Sequence, residues 1–171
     1  MRKIKCLRSD RGGEYFPKIF DEFCEELGII NERMPPYSPE SNGIAERKCR
    51  TVTNLVNSML DTVGLSKAWW GYAVLTSCHV LNKVPSKNQD QTLYEMWNGR
   101  KPSLSCLRTW GCLAKVNMTV PKKRKLGPKT VDCVFLGYAQ RSITYRFLVV
   151  KSEIPDVHVD TVMESRDATF F

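Results

Sequence analysis

Histidine is scarce in this sequence, and cysteine never occurs in the paired spacing that tetrahedral zinc sites use. The 171 residues include two histidines, His79 and His158, and seven cysteines without a Cys-x-x-Cys pair. A zinc site built from His and Cys is therefore not expected. Because the cysteine count is odd and most of these residues have apolar neighbours, they are predicted to be reduced core residues rather than a disulfide framework.

Long apolar runs are also missing. No stretch approaches the roughly eighteen apolar residues of a membrane span, and residues 1–6 contain no apolar segment of signal-peptide length. These absences predict a protein of the nucleus or cytoplasm that has no membrane partner. A hydrophobic content of 42% with 26% charged residues is typical of a globular fold.

Acidic residues are nearly absent from one segment of the chain. Residues 100–146 contain eleven Lys or Arg and one acid, Asp132, for a net charge of 11 − 1 = +10. Residues 1–99 contain thirteen basic and twelve acidic residues, for 13 − 12 = +1. A local excess of this size favours a polyanionic partner through phosphate contacts and counterion release. The alternative is a basic face that is merely solvated.

The first half of the sequence combines short strands with helices. The predicted strands are 4–7 and 29–33, and the predicted helices are 17–27, one that begins near Asn42, and 67–84. The helix near Asn42 carries an apolar stripe from Ala45 to Val63, with Asn42 as its N-cap. Trp69 and Trp70 of the next helix are predicted to be core anchors.

The second half changes character near residue 90. A short helix at 93–97 that ends at Gly99 is followed by predicted strands at 112–120, 132–138, 144–150 and 157–163. Turn residues separate these strands, and a small β-barrel or partly open sheet is the expected result. The predicted domain division is 1–84, a linker with the short helix at 85–104, and a β domain at 105–171.

Two acidic residues lie in distinctive local sequences. Asp10 stands in the run Arg8-Ser9-Asp10-Arg11-Gly12-Gly13-Glu14-Tyr15, and Glu46 ends the run Asn42-Gly43-Ile44-Ala45-Glu46. Thirty-five residues separate them, since 46 − 10 = 36. Asp10 follows a predicted strand and Glu46 lies in the first turn of a helix, which suits carboxylates that hold divalent ions for phosphoryl transfer. On spacing alone, Glu46 could equally pair with Arg50.

These motifs resemble the integrase of copia-type LTR retrotransposons, a part of the Pol polyprotein whose active site has the pattern D,D,35,E. Further similar segments are Trp69-Trp70, Val84-Pro85, Tyr94-Glu95-Met96-Trp97, Gly99-Arg100-Lys101-Pro102, Trp110-Gly111-Cys112, Phe135-Leu136-Gly137-Tyr138 and Glu164-Ser165-Arg166-Asp167. The resemblance thus extends over nearly the whole chain. It implies a truncated α/β core of the RNase H-like, retroviral integrase type, followed by a small SH3-like β-barrel.

The resemblance also implies residue roles. Asp10 and Glu46 would be catalytic and would bind Mg²⁺ or Mn²⁺. The residues implied to contact DNA are Asn42, Gly43, Arg47, Arg50, Lys122, Lys123, Arg124 and Lys125. Arg47 and Arg50 could instead form an exposed helix face. The four basic residues from Lys122 could be a charged turn that touches phosphate, or a nuclear-localisation signal.

In the family that this chain resembles, the first of three catalytic carboxylates lies well upstream of the second, and here nine residues precede Asp10. We therefore expect the chain alone to be inactive in DNA strand transfer and to bind no metal stably. The implied partners are DNA, as element ends and target, and other integrase or Pol segments. Two non-enzymatic alternatives stay open: a nucleic-acid-binding module, and a protein-interaction remnant with a contact surface of Trp69, Trp70 and Trp97.

Overall fold

The computed structural model describes residues 3–9, 18–35, 43–86, 89–118 and 127–171. Within these ranges the fold is mixed α/β, with a two-strand parallel sheet and a five-strand antiparallel sheet. No helix in the same ranges has the length and apolar character to cross a membrane.

The two-strand sheet and one helix form the first unit. Strand β1 is Cys6–Ser9, helix α1 is Lys18–Glu26 and strand β2 is Ile30–Arg33. β1 and β2 are parallel, and Ser9 is the register partner of Arg33. Helix α1 ends where Gly28 takes a φ of 65°, a conformation that glycine adopts without strain. The predicted helix at 17–27 and strand at 29–33 are confirmed, whereas the first strand covers Cys6–Ser9 rather than 4–7.

The apolar face of α1 is largely uncovered. Cys24 is buried, but Ile19 is 78% exposed, Phe23 53% and Leu27 57%. Polar contacts join the helix to β2: Asn31 Nδ2 donates to Asp21 Oδ1 at 2.8 Å, and Arg33 forms an ion pair with Asp21. The amphipathic pattern therefore predicted the helix correctly, but the described residues leave most of its apolar face uncovered.

Helix α2, Gly43–Val63, and helix α3, Trp70–Leu81, pack against each other. In α2 the buried residues, Val56 and Leu60, belong to the second half of the predicted stripe, whereas Ala45 in the first half is exposed. The prediction of one helix over 67–84 is wrong at both ends. A 3₁₀ turn, Lys67–Trp69, precedes α3, with the Ser66 hydroxyl accepting a hydrogen bond from Ala68 N–H.

The tryptophans differ from expectation. Trp70 is 61% exposed, so its prediction as a core anchor is wrong, and Trp69 is half-buried with its ring 5.8 Å from that of Tyr72. The buried tryptophan is Trp110, whose Nε1–H donates to the Leu136 carbonyl at 2.9 Å. Helix periodicity did not distinguish these residues because burial here depends on the sheet that α3 meets.

Helix α4, Leu93–Asn98, is confirmed, and so is its predicted end at Gly99. Thr92 accepts a hydrogen bond from Glu95 N–H, and the Glu95 carboxylate accepts one from Thr92 N–H, which together form a capping box. These contacts lower the pKa of Glu95. Gly99 ends the helix with a φ of 71°.

The five-strand antiparallel sheet has the order β6-β5-β4-β3-β7. Its strands are β3 Leu113–Asn117, β4 Thr130–Tyr138, β5 Tyr145–Lys151, β6 Val162–Ser165 and β7 Ala168–Phe170. β4 is buried on both faces. On one face Cys133 and Phe135 pack against residues of the other strands, and on the other face Val134 and Leu136 pack against α2 and α3. The helices and the sheet therefore share a hydrophobic cluster, and the predicted domain division stays a prediction.

The predicted strand at 157–163 is wrong over most of its length. β6 begins at Val162, and the preceding residues form a turn in which Asp160 has a φ of 65° and donates its N–H to the Val149 carbonyl. The three-residue strand β7 was not predicted, because it follows β6 after only Arg166 and Asp167 and is too short for a periodicity signal.

All seven cysteines are free, as expected. Cys24 and Cys133 are buried, and burial raises the pKa of Cys133 to about 12. Cys6, Cys49 and Cys78 are exposed, however, so the prediction that the cysteines are core residues holds only in part.

Candidate functional site

One face at the start of α2 carries four of the predicted site residues. Gly43, Glu46, Arg47 and Arg50 have the spacing i, i+3, i+4 and i+7, which places them along one side of a helix. Glu46, Arg47 and Arg50 are exposed, and Arg47 Nε donates to the Gly43 carbonyl at 3.0 Å. Among the described residues no ion pair joins Glu46 to Arg50, so the Glu46 carboxylate faces solvent.

Strand β1 ends one residue before Asp10. Its last residue, Ser9, is 7% exposed, and its carbonyl accepts a hydrogen bond from Met34 N–H at 3.2 Å. The Ser9 hydroxyl has no hydrogen-bond partner within the described ranges. Buried polar groups normally have a hydrogen-bond partner. The residues that the structure describes therefore leave the hydrogen bonding at this strand end incomplete.

Two other carboxylates of the first unit, Glu32 and Asp21, are paired with cations. Arg8 forms an ion pair with Glu32 at 2.9 Å and lowers its pKa, and hydrogen bonds from Asn31 and then Arg33 lower the pKa of Asp21. Carboxylates held in this way are poor candidates for metal ligands. Among the described residues Glu46 has no such partner, a feature that it shares with Asp61 at the other end of α2.

Several predicted residues lie outside the described ranges: Asp10, Asn42, Lys122, Lys123, Arg124 and Lys125. The predicted approach of Asp10 to Glu46 therefore stays a prediction, as does the basic turn. Over the residues that are described, no group of three or more His, Cys, Asp or Glu side chains is placed to hold a metal ion.

Comparison with known proteins accounts for the motifs. A family model described as "Retroviral polymerase SH3-like domain" matches residues 112–171. The Pol polyprotein of transposon TNT 1-94 from Nicotiana tabacum is 38% identical over 170 residues, which is 99% of this chain and 12% of that protein. The chain is a relative of copia-type retrotransposon Pol polyproteins. The resemblance inferred from the motifs is confirmed.

Two further Pol relatives come from Arabidopsis thaliana. The Pol polyprotein of transposon RE1 is 31% identical and that of RE2 is 28% identical, each over 144 residues, or 84% of this chain. The chain spans about a tenth of the length of these Pol proteins. Among solved structures, a simian T-cell lymphotropic virus intasome in complex with PP2A regulatory subunit B56 gamma matches with a TM-score of 0.47 and 17% identity, over 97% of this chain and 57% of that one.

This Pol segment has a second surface feature that the sequence did not predict. A groove of about 520 Å³ lies where α3 meets the five-strand sheet, lined by basic and aromatic side chains. Its residues come from α3, the segment at 105–108 and three parts of the sheet, and these are far apart in sequence. Of its basic residues Lys83, Arg108 and Arg166, only Arg108 belongs to the basic segment 100–146, so net charge did not locate the groove.

Proposed function

We propose that these 171 residues are part of an integrase that joins retrotransposon ends to target DNA by two-metal strand transfer. The observation that carries the proposal is the 38% identity to a Pol polyprotein over 170 of 171 residues, an alignment that includes both carboxylate motifs. In this proposal, Asp10 and Glu46 each bind Mg²⁺ or Mn²⁺, and a further carboxylate completes the site.

The first unit supports an RNase H-like core. β1, α1 and β2 form a parallel strand–helix–strand unit, and such a unit buries both faces of its strands only as part of a larger sheet. The exposed apolar face of α1 is consistent with this larger assembly. The proposal places the remaining strands in other Pol segments, which would cover Ile19, Phe23 and Leu27.

DNA contact follows from the exposed helix face. Arg47 and Arg50 lie on the same side of α2 as Glu46, so a DNA end whose phosphates meet the two arginines would bring its reactive end toward the carboxylate. Arg47 is additionally oriented by its bond to the Gly43 carbonyl. The Lys122 to Lys125 segment would add non-specific phosphate contacts.

The experiment tests activity with and without a third carboxylate. The chain alone, assayed with Mg²⁺ or Mn²⁺ and a labelled element end, should give no strand transfer. Fused to the upstream segment of the Nicotiana tabacum relative, it should become active. In that fusion Asp10→Asn or Glu46→Gln should lower the rate at least about 100-fold, since even loss of a residue that only supports a metal ligand costs 10–100-fold.

Asp61→Asn is the matched control, because Asp61 is an exposed acid at the other end of the same helix. Activity that survives Glu46→Gln, or that falls equally in Asp61→Asn, would rule out the proposed role of Glu46. Strand transfer by the unfused chain would show that two carboxylates suffice.

A nucleic-acid-binding module without catalysis is the second candidate. The basic groove beside α3 favours it, because the groove needs neither Asp10 nor Glu46. DNA binding by a fusion that stays inactive would support this candidate over the enzyme.

A further inference from the structure

The groove between α3 and the sheet carries positive charge without compensation. Lys83, Arg108 and Arg166 line it, and no Asp or Glu occurs among its lining residues in the described part of the chain. Three cations and no acid give this small surface a formal charge of +3. Such a concentration attracts a polyanion.

Lys83 is held by neutral partners. Its Nζ donates to His79 Nε2 at 2.9 Å and to Cys106 Sγ at 3.6 Å. Because the ammonium group can only donate, His79 must accept at Nε2 and carry its own proton at Nδ1. Burial, and then the charge of Lys83, lowers the pKa of His79 to about 4. Neither partner neutralises Lys83, so its charge remains available to a ligand.

Arg108 is oriented by uncharged groups, which do not neutralise its positive charge. One Nη donates to the carbonyls of Ser105 and Leu107, both at 2.7 Å. The guanidinium lies 5.0 Å from the ring centre of Phe170 and 5.9 Å from that of Tyr145, within cation–π range. Its Nε and second Nη have no hydrogen-bond partner among the described residues. An arginine positioned in this way is prepared for a phosphate oxygen.

The floor of the groove is aromatic, with its hydroxyls already used. Tyr138 Oη accepts a hydrogen bond from Arg108 N–H at 3.1 Å, and Tyr145 Oη donates to the Cys106 carbonyl at 3.3 Å. His79 already stacks on one face of the Tyr138 ring, with ring centres 3.9 Å apart. The remaining ring surface of Tyr138, Tyr145 and Phe170, all half-buried, is the apolar surface that the groove offers. Cations beside aromatic rings suit a strand with unpaired bases, because those bases can leave their own stack and pack on the rings.

We propose that this groove binds single-stranded nucleic acid, with phosphates on Lys83, Arg108 and Arg166 and an unpaired base against the aromatic floor. The inference extends the proposed function and takes from it only the expectation that DNA is a partner. It does not involve Asp10, Glu46 or the Lys122 to Lys125 segment. The groove and the proposed metal site can therefore fail separately.

The first test measures fluorescence anisotropy of a short labelled oligothymidylate, and of a duplex, with the 171-residue chain. Lys83→Gln with Arg166→Gln should weaken single-strand binding about tenfold and flatten the slope of log affinity against log salt by about 1.4, since each single-strand phosphate contact contributes roughly 0.7. Duplex affinity should change less than twofold. The control pair Lys5→Gln with Lys67→Gln removes two exposed charges outside the groove and should have little effect.

The second test follows His79 by NMR during titration with the same oligothymidylate. A phosphate bound to Lys83 would offset the charge that lowers the pKa of His79, so this pKa should rise. The single variant Arg166→Gln should also weaken binding of the oligothymidylate, without a change in folding. An unmoved His79 pKa, an equal loss in the control pair, an equal loss for duplex, or stronger competition by polyglutamate than by oligothymidylate would each overturn the proposal. In none of these cases would the strand-transfer experiment on Glu46 be affected.

Discussion

In the five-strand sheet, aromatic side chains meet inside a closed core, whereas in α1 an aromatic side chain of similar size, Phe23, faces solvent. Phe135 is fully buried and packs edge to face on Phe147, Tyr145 and Phe170, at ring distances of 5.7–6.1 Å. Phe23 in α1 is 53% exposed. Both phenylalanines lie at positions where periodicity predicts burial, so pattern alone does not measure what a residue contributes to stability.

The difference has a topological origin. Each face of β4 is covered, one by other strands of the sheet and one by α2 and α3. Among the described residues α1 packs on β2, and in residues 3–9 and 18–35 the buried hydrophobic residues are Cys24 and Met34. The sheet region therefore has a core that covers both faces of β4, whereas the described part of the first unit buries few apolar side chains.

The largest effect that tests this comparison comes from truncating one phenylalanine in each region. Phe135→Ala should lower the free energy of unfolding by about 3–5 kcal/mol, because it leaves a cavity in a closed core. Phe23→Ala should change it by no more than about 0.5 kcal/mol, as expected for an exposed side chain. Urea unfolding at neutral pH measures both. Similar losses in the two variants would show that the face of α1 is covered.

A glycine at the junction of α3 and β4 gives the next effect. Gly137 has a φ of 142°, and a Cβ there would lie 2.3 Å from Thr76 Oγ1, which itself donates to the Leu136 carbonyl at 3.0 Å. Gly137→Ala should cost about 2–5 kcal/mol, the sum of backbone strain of about 1–2 and overpacking of about 1–3.

Gly127→Ala separates these two causes. Gly127 has a φ of 112°, and a Cβ added there would meet no atom within 4 Å, so its substitution adds strain without a clash. It should cost about 1–2 kcal/mol. If both variants lose equal stability in the same urea experiment, the contact between α3 and β4 is looser than the structure indicates.

The sequence predicted elements well where a local signal exists. The predicted stop at Gly99 ends α4, and Gly28 ends α1. It failed where the answer depends on distant residues. Trp70 was expected in the core but faces solvent, and strand β7 gains its partner β3 from a segment about fifty residues earlier.

The candidate site divides in the same way. The common face of Gly43, Glu46, Arg47 and Arg50 follows from helix geometry and was predictable once the helix was identified. The groove was not, because Lys83 and Arg108 meet only when α3 packs on the sheet. Net charge located a basic segment, but it did not identify which basic side chains lack an acidic partner.

The smallest expected effect distinguishes the two regions by pH. The folded chain holds the pKa of His79 at about 4, through burial and then Lys83, against an ordinary value of 6.5. Between these values the unfolded chain binds a proton that the folded chain does not, so the free energy of unfolding falls as pH is lowered from 6.5 toward 4. His79 stacks on Tyr138 at 3.9 Å, and the loss should therefore appear in the sheet and α3. Because His79 is only half-buried, we expect about 0.5–1 kcal/mol between pH 7.5 and 5.5, after allowance for solvent screening.

The first unit should not respond over that interval. The pKa values of Asp21 and Glu32 are lowered from 3.8 and 4.5, so the stability that these carboxylates contribute is lost only as pH falls below the ordinary range. Hydrogen exchange at pH 7.5 and 5.5, corrected for the intrinsic rate, reports the two regions separately. His79→Gln should remove the pH response of β4 and α3, while Glu32→Gln should leave it intact. If the pH response survives His79→Gln, another group causes it. A response confined to β1 and β2 would show that the first unit, and not the sheet with α3, loses stability over this pH interval.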